Sequence, residues 1–355
     1  MTNACLIAIL LGVLGLKQYV YCNNELRPLY VIGNMANTID DVNAYLNAGA
    51  NAIQADLSFS KSTSQPESFY RGFPCDCFRV CHRSNDVIDY FKYVRDISTP
   101  GHPNFISSFS GVLWIRSKLS GIPDLKIAGT AFATTLMRTV YVIETRLTII
   151  LELDDKAHWD FIDEVIAELT KFNRIDILGR IGVSANGADY FHEFMNRIRD
   201  PRYQWLGGFW LGDGVLSCFE HFFKTLDVRE ALNRRDMRDI GISKVARWTV
   251  DYKSNIRNAM WMDIDVIASN NVNEVRKVLA ESQFSHRYRL ATFTDDPFRR
   301  IVGPGAGKRQ GCSTKGIISK TELCWMDTTL AGNWCWTNTK CGDDPSVCHH
   351  KLHCS

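Results

Sequence analysis

Leu29-Tyr30-Val31-Ile32, followed by Thr38-Ile39-Asp40-Asp41-Val42-Asn43-Ala44-Tyr45-Leu46 and then Ala52-Ile53-Gln54-Ala55-Asp56-Leu57, is the stretch on which the fold turns. Leu29–Ile32 is an apolar run of strand length. Asp40–Ala48 reads as a helix. Thr38 stands where it can cap that helix, and Asp40 and Asp41 lie in the first turn, where carboxylates meet the positive end of the helix dipole. The Asn47-Ala48-Gly49-Ala50 turn leads into the next strand, Ala52–Leu57. Strand, helix, strand in this order describes two parallel strands joined by a helical crossover.

The unit repeats along the chain. Apolar runs of strand length recur at Val112–Ile115, Thr148–Leu153, Ile181–Ser184, Gly208–Leu211, Val245–Val250 and Val266–Ala268. Between them, Asp86–Asp96 puts Val87, Ile88, Phe91 and Val94 on one face, and Phe161–Leu169 turns Phe161, Ile162, Val165, Ile166 and Leu169 inward. Further helices are expected near Tyr190–Arg197, Phe219–Asn233, Ile256–Trp261 and Val272–Glu281. About eight such units between residues 23 and 301 fit an α/β fold, the (β/α)₈ TIM barrel, whose usual size is ~250 residues. A doubly wound open sheet is the alternative. No G-x-G-x-x-G or Walker A pattern follows an early strand to support it. A barrel places its site at the C-terminal ends of the strands, which directs attention to Asn34, Gln54, Asp56, Arg71, Arg116 and Trp248.

The two ends differ from the middle. Ala4–Leu16 is uncharged and mostly apolar. It is too short for a bilayer span of ~20 residues and has the length of a signal-peptide core. Residues 1–22 are therefore expected to be a signal peptide and the protein to be secreted, extracellular and without a transmembrane span. The chain has 355 residues, of which 45% are hydrophobic and 23% charged, with a net charge of +2, so it is neither a disordered chain nor a nucleic-acid binder. Of its 12 cysteines, removal of residues 1–22 takes Cys5 and Cys22 and leaves 10, an even number that suits disulfides. Residues 302–311 contain Gly303-Pro304-Gly305-Ala306-Gly307, a linker. Residues 312–355 hold Cys312, Cys324, Cys335, Cys341, Cys348 and Cys354, with His349, His350 and His353 among them. The absence of a C-x₂-C pair favours three disulfides over a zinc site. The pairing of six cysteines is open among about fifteen connectivities.

Three stretches resemble one family. They are Asn47-Ala48-Gly49-Ala50-Asn51-Ala52-Ile53, then Gly72-Phe73-Pro74-Cys75-Asp76-Cys77-Phe78-Arg79-Val80-Cys81, and Arg289-Leu290-Ala291-Thr292-Phe293-Thr294-Asp295-Asp296-Pro297-Phe298. With Trp248-Thr249-Val250-Asp251, they are similar to the spider-venom phospholipase D family (sphingomyelinase D, or dermonecrotic toxin) over about Arg27 to Phe298. The resemblance implies a TIM barrel of the glycerophosphodiester phosphodiesterase-like type and disulfides Cys75–Cys81 and Cys77–Cys218. It implies cleavage of the phosphodiester of sphingomyelin or lysophospholipids by two histidines and one Mg²⁺.

The positions that resemblance marks carry other residues. Asn34 and Arg71 stand where the family has its catalytic histidines. An asparagine cannot act as a base, and an arginine does not give up its proton near neutral pH. Of the metal carboxylates only Asp56 remains, with Gln54 and Arg116 at the other two places. Lys118 matches a family lysine near the phosphate. Trp248 matches a substrate-facing tryptophan whose aromatic neighbour is here Ala246. The expectation is a secreted pseudoenzyme of the phospholipase D-like fold with no cofactor. Its pocket (Arg71, Arg116 and Lys118 against Asp56, formally +2) would bind an anionic lipid head group or other anionic ligand, or else Arg116 and Asp56 pair with each other and close it. Two alternatives stand beside it. One is a phosphodiesterase with an altered mechanism. The other is a host-protein binder acting through the cysteine-rich tail, with Trp325, Trp334 and Trp336 as its surface.

Overall fold

The computed structural model describes residues 26–72, 75, 81–153, 158–186, 191–214, 225–236 and 242–301, and in the tail the strands 310–314, 322–327, 334–337 and 348–353. In chain order the strands are β1 (Arg27–Gly33), β2 (Ala52–Phe59), β3 (Pro66–Phe69), β4 (Asn85–Asp86), β5 (Val112–Lys118), β6 (Thr148–Leu153), β7 (Ile181–Asn186), β8 (Gly208–Gly214), β9 (Ile242–Trp248), β10 (Val266–Ser269) and β11 (Tyr288–Leu290). The helices are α1 (Ile39–Asn47), α2 (Val87–Ser98), α3 (Leu125–Thr139), α4 (Trp159–Lys171), α5 (Ile175–Leu178), α6 (Phe191–Arg197), α7 (Thr225–Asp236), α8 (Lys253–Trp261), α9 (Val272–Leu279) and α10 (Ser282–Ser285).

Eight strands pair in parallel in the order β1-β2-β5-β6-β7-β8-β9-β10, and β10 returns to β1 through Tyr30↔Val266 and Ile32↔Ala268, closing a barrel. The helices lie outside it. β3 and β4 extend β2 as a short antiparallel flap. Thr38 caps α1 as its sequence implied: its hydroxyl accepts from Asp41 N at 3.1 Å while Asp41 accepts from Thr38 N. Asn51, 1% exposed, accepts from Val31 N and donates to the carbonyls of Leu29 and Ala291, so one amide ties β1 and β2 to the segment that closes the barrel.

Three helices have no counterpart in the sequence reading: the four-residue α5 and α10, and the long α3. α3 is rich in threonine, a residue of weak helix propensity. The Thr135 and Thr139 hydroxyls donate back to the carbonyls of Ala131 and Thr135, four residues earlier, so the polar groups are satisfied within the helix. Gly129 lets α3 lie against α4, since a Cβ there would sit 2.6 Å from the Phe161 carbonyl. β9 ends at Trp248, earlier than the expected Val250, because Thr249 turns to φ +58°. Of the expected helix Phe219–Asn233, residues 219–224 lie outside the described residues.

The lumen is filled by Tyr30, Ile32, Trp114, Ile150, Trp210 and their neighbours, with Trp210 set edge-on to Trp114 at 5.9 Å. The closing segment seals the N-terminal end of the barrel. Phe298 packs into a floor made by Gly182, Gly207 and Gly208; a Cβ at Gly207 would sit 2.1 Å from its ring. Trp210 Nε1, Lys244 Nζ and Arg27 Nη1 donate to the carbonyls of Pro297, Arg299 and Ile301.

Beyond residue 309 four strands, β12 (Gln310–Thr314), β13 (Glu322–Asp327), β14 (Trp334–Thr337) and β15 (Cys348–His353), form an antiparallel sheet, with Cys312 opposite Cys324 in register. β12 begins inside the expected linker. Residues 1–22, with the expected signal peptide, lie outside the described residues. No helix among the described residues is long and apolar enough to cross a membrane.

Candidate functional site at the barrel mouth

The C-terminal ends of β2, β5 and β6 stand in register: Asp56 is level with Arg116, and Arg116 with Glu152. Register puts these side chains on one face of the barrel wall, where they meet. Asp56, wholly buried, receives Arg71 Nη1 at 2.9 Å, Arg116 Nη1 at 3.7 Å and Asn37 Nδ2 at 3.2 Å. Asn37 Oδ1 accepts from Asp56 N at 2.7 Å, so this one asparagine fixes both the strand and the carboxylate. Arg116 turns its Nε to Glu152 Oε1 at 2.6 Å. The row is thus Arg71, Asp56, Arg116, Glu152, with alternating charge.

The remaining predicted residues frame this row. Lys118 Nζ donates to the Arg71 carbonyl at 2.8 Å and stands 5.8 Å from the Tyr70 ring, which pins the segment after β3 that carries Arg71 to β5. Gln54 Oε1 accepts from Met35 N at 2.8 Å, bracing a turn in which Met35 adopts φ +57°. The Arg116 guanidinium stands 5.9 Å over the Trp248 indole, and that indole rests on Gly214, where a Cβ would meet it at 2.3 Å. Asn34 belongs to a second chain of bonds. Its amide donates to Asn270 Oδ1 at 3.1 Å, and Asn270 donates to Asp251. The loop next to Arg71 is tied by the disulfide Cys75–Cys81. Cys77 and Cys218, which the resemblance pairs, lie outside the described residues.

Four participants escape the sequence reading: Glu152, Asn37, Asp251 and Asn270. Glu152 is the most important. It lies in a run read as a buried strand, and the missed signal is a carboxylate near that strand's C-terminal end, level in register with Arg116 and, through it, Asp56. Asn37 carries no signal, since it sits in an irregular turn. Asp251 was quoted within the Trp248 stretch but given no role. Glu152 corrects the charge of the pocket: Arg71, Arg116 and Lys118 against Asp56 and Glu152 give 3 − 2 = +1, not +2. Burial pushes the Glu152 carboxyl above its ordinary pKa, and the Arg116 charge and hydrogen bond oppose that rise.

A closed parallel barrel with partly exposed charged side chains at the C-terminal strand ends has the architecture of a (β/α)₈ enzyme site. The chain belongs to the dermonecrotic toxin family: residues 24–298 match the family described as Dermonecrotic toxin SPH. It is 32% identical over 279 residues to a dermonecrotic toxin of Loxosceles spinulosa, covering 77% of this chain and all of the toxin. It is 29% identical over 297 residues to the Dermonecrotic toxin SPH of Ixodes scapularis, covering 81% of this chain and 80% of that one. Among solved structures, an Oleispira antarctica phosphodiesterase in complex with the product sn-glycerol-3-phosphate matches with 11% identity and a TM-score of 0.41, over 71% of this chain and 97% of its own.

Proposed function

We propose that this chain is a secreted phospholipase D/sphingomyelinase D-like protein that holds an anionic phosphate head group at its barrel mouth without cleaving it. The observation that carries the reading is the convergence of Arg71 and Arg116 at the mouth, where both contact Asp56 yet stay 25% and 16% exposed. In this family's chemistry a divalent cation faces the phosphate. The donors here do not suit one. Mg²⁺ takes oxygen ligands in near-octahedral geometry. Asp56 is already shared by two guanidiniums and an amide, Glu152 is engaged by Arg116, and position 54 is an amide. Among the described residues no group of three or more His, Cys, Asp or Glu is arranged to hold a metal.

Proton transfer is equally unsupported. Neither Asn34 nor Arg71 can take and return a proton near neutral pH. What the pair of guanidiniums does offer is a fork for phosphate oxygens, the geometry in which arginine is strongest. Arg71 and Arg116 keep 25% and 16% of their side chains exposed, so a phosphate reaches them from solvent. Incubation with sphingomyelin or lysophosphatidylcholine and Mg²⁺ is expected to release no choline. Turnover that a chelator abolishes would overturn the non-catalytic half of the reading. Calorimetric titration with phosphate head groups is expected to show binding that the R71A/R116A double variant loses. Equal binding by both proteins, or by neither, removes the binding half.

A further inference from the structure

Resting on the head-group reading above, we infer that the mouth selects phosphates esterified to a polyol, of the glycerol or inositol kind, over those esterified to a quaternary ammonium alcohol. A quaternary ammonium has no N–H, so it is recognised by an aromatic face or by anionic charge. Among the described residues the aromatic faces at this mouth already have cations beside them, Lys118 at 5.8 Å from the Tyr70 ring and Arg116 at the Trp248 indole. Arg116 stands over the Trp248 indole at 5.9 Å, and a second cation there would face the guanidinium as a like charge. The inward position two residues earlier on β9 is Ala246, wholly buried, so β9 offers no second aromatic wall beside Trp248.

The polar atoms beneath the arginines point the same way. Gln54 Nε2, Trp248 Nε1, Glu152 Oε2 and Ser184 Oγ are buried and have no hydrogen-bond partner among the described residues. Glu152 and Ser184 are register neighbours on β6 and β7, and Glu152 is in turn level with Arg116. Unmet buried polar groups are costly and call for a partner. The set contains two N–H donors, one carboxylate acceptor and one hydroxyl. Sugar or glycerol hydroxyls both donate and accept, so they match every member; a trimethylammonium group hydrogen-bonds to none of them, and the one anion among them, Glu152, already faces the Arg116 guanidinium. A polyol phosphate would seat its phosphate on Arg71 and Arg116 and turn its hydroxyls to this set.

The test is calorimetric titration of the full-length protein with sn-glycerol 3-phosphate, myo-inositol 1-phosphate, phosphocholine, phosphoethanolamine and inorganic phosphate, at one pH and salt concentration. The two polyol phosphates are expected to bind at least about tenfold more tightly than phosphocholine, as follows from a blocked cation–π face. They are also expected to bind more tightly than inorganic phosphate, which carries similar charge and no hydroxyl arm. Phosphocholine or phosphoethanolamine at the level of the polyol phosphates would overturn the inference, as would inorganic phosphate binding best. If no compound binds, the head-group reading itself fails, which is a different outcome. Vesicles containing phosphatidylinositol, set against free inositol phosphate, distinguish a lipid from a soluble source; binding to either supports the inference. Arg116→Gln is expected to narrow the preference over phosphocholine to within about threefold, by clearing the indole face. Should that variant not fold, the panel on the native protein still decides.

Discussion

The two ends of the barrel carry the same device, a buried aspartate held between two arginines, and use it differently. At the mouth Asp56 lies between Arg71 and Arg116. At the floor Asp265 lies between Arg27, at 2.7 Å, and Arg235. Both carboxylates are wholly buried. The arginines are not alike: those at the mouth remain 25% and 16% exposed, while those at the floor are 6% and 0% exposed. The floor is sealed by the closing segment, and Val245 N adds a further hydrogen bond to Asp265 at 2.9 Å. An ion cluster out of reach of water can only be structural. One whose cations touch solvent can exchange its carboxylate for an anion from outside.

Removing the floor carboxylate tests this most severely. Burial alone would raise the Asp265 pKa, but the charges of Arg235, Arg27 and Lys244 outweigh it and hold the group below its usual range. Asp265→Asn takes from the buried Arg27 guanidinium its carboxylate and leaves buried Arg235 with Asp236 alone, a change that costs about 3–5 kcal/mol. Urea unfolding is expected to show a midpoint lowered accordingly, or no cooperative transition. A loss below about 1 kcal/mol would mean that the floor is as hydrated as the mouth.

Lys244, in the same cluster, gives the comparison a pH signature. Burial brings its amine down from 10.5 to about 8, with Asp265 opposing. Below about pH 8 the amine is protonated folded and unfolded, and the folded state bears the full cost of a buried charge. Between about 8 and 10.5 only the unfolded state keeps the proton, so this group makes the protein more stable as pH rises, by up to roughly 3 kcal/mol. Lys244→Met is expected to remove that slope, measured as the difference between native and variant urea midpoints from pH 7.5 to 10.5. Parallel slopes in the two proteins would show that Lys244 is not the group responsible.

Gly207→Ala probes the seal itself. Its new Cβ would meet the Phe298 ring at 2.1 Å and the Gly179 carbonyl at 2.4 Å. The carbonyl is backbone and has little room to retreat, so the expected cost is about 1–3 kcal/mol by thermal unfolding. A neutral result would mean that the closing segment moves aside freely and that the floor is not sealed.

How much of this was legible in the sequence follows from how local the causes are. Strand runs such as Thr148–Leu153 and the Thr38 cap depend on near neighbours, and they are found where expected. α3 was not, because its stability comes from threonine hydroxyls bonded within the helix and from Gly129 meeting α4, neither of which shows as apolar periodicity. At the mouth, Asn34, Gln54, Asp56, Arg71 and Arg116 were picked out by position and by resemblance. What joins them was not visible. Register between β2, β5 and β6 decides which charges touch, and a one-residue shift would have turned Glu152 away from Arg116.

The mouth counterpart of the floor variant carries the smallest expected loss and the most informative sign. Asp56→Asn keeps the shape of the side chain and an oxygen for Arg71, while Arg71 and Arg116 can draw on water for the charge they lose. Its expected cost is about 1 kcal/mol, in the range of a partly solvated ion pair and well below that of Asp265→Asn. Yet it removes the internal competitor for the guanidiniums. If an external phosphate takes the place of that carboxylate, titration with sn-glycerol 3-phosphate should show tighter binding in Asp56→Asn than in the native protein, by a factor of a few. Weaker binding would show that Asp56 orients the arginines rather than competing for them. The mouth would then be a rigid cluster like the floor, differing from it only in exposure.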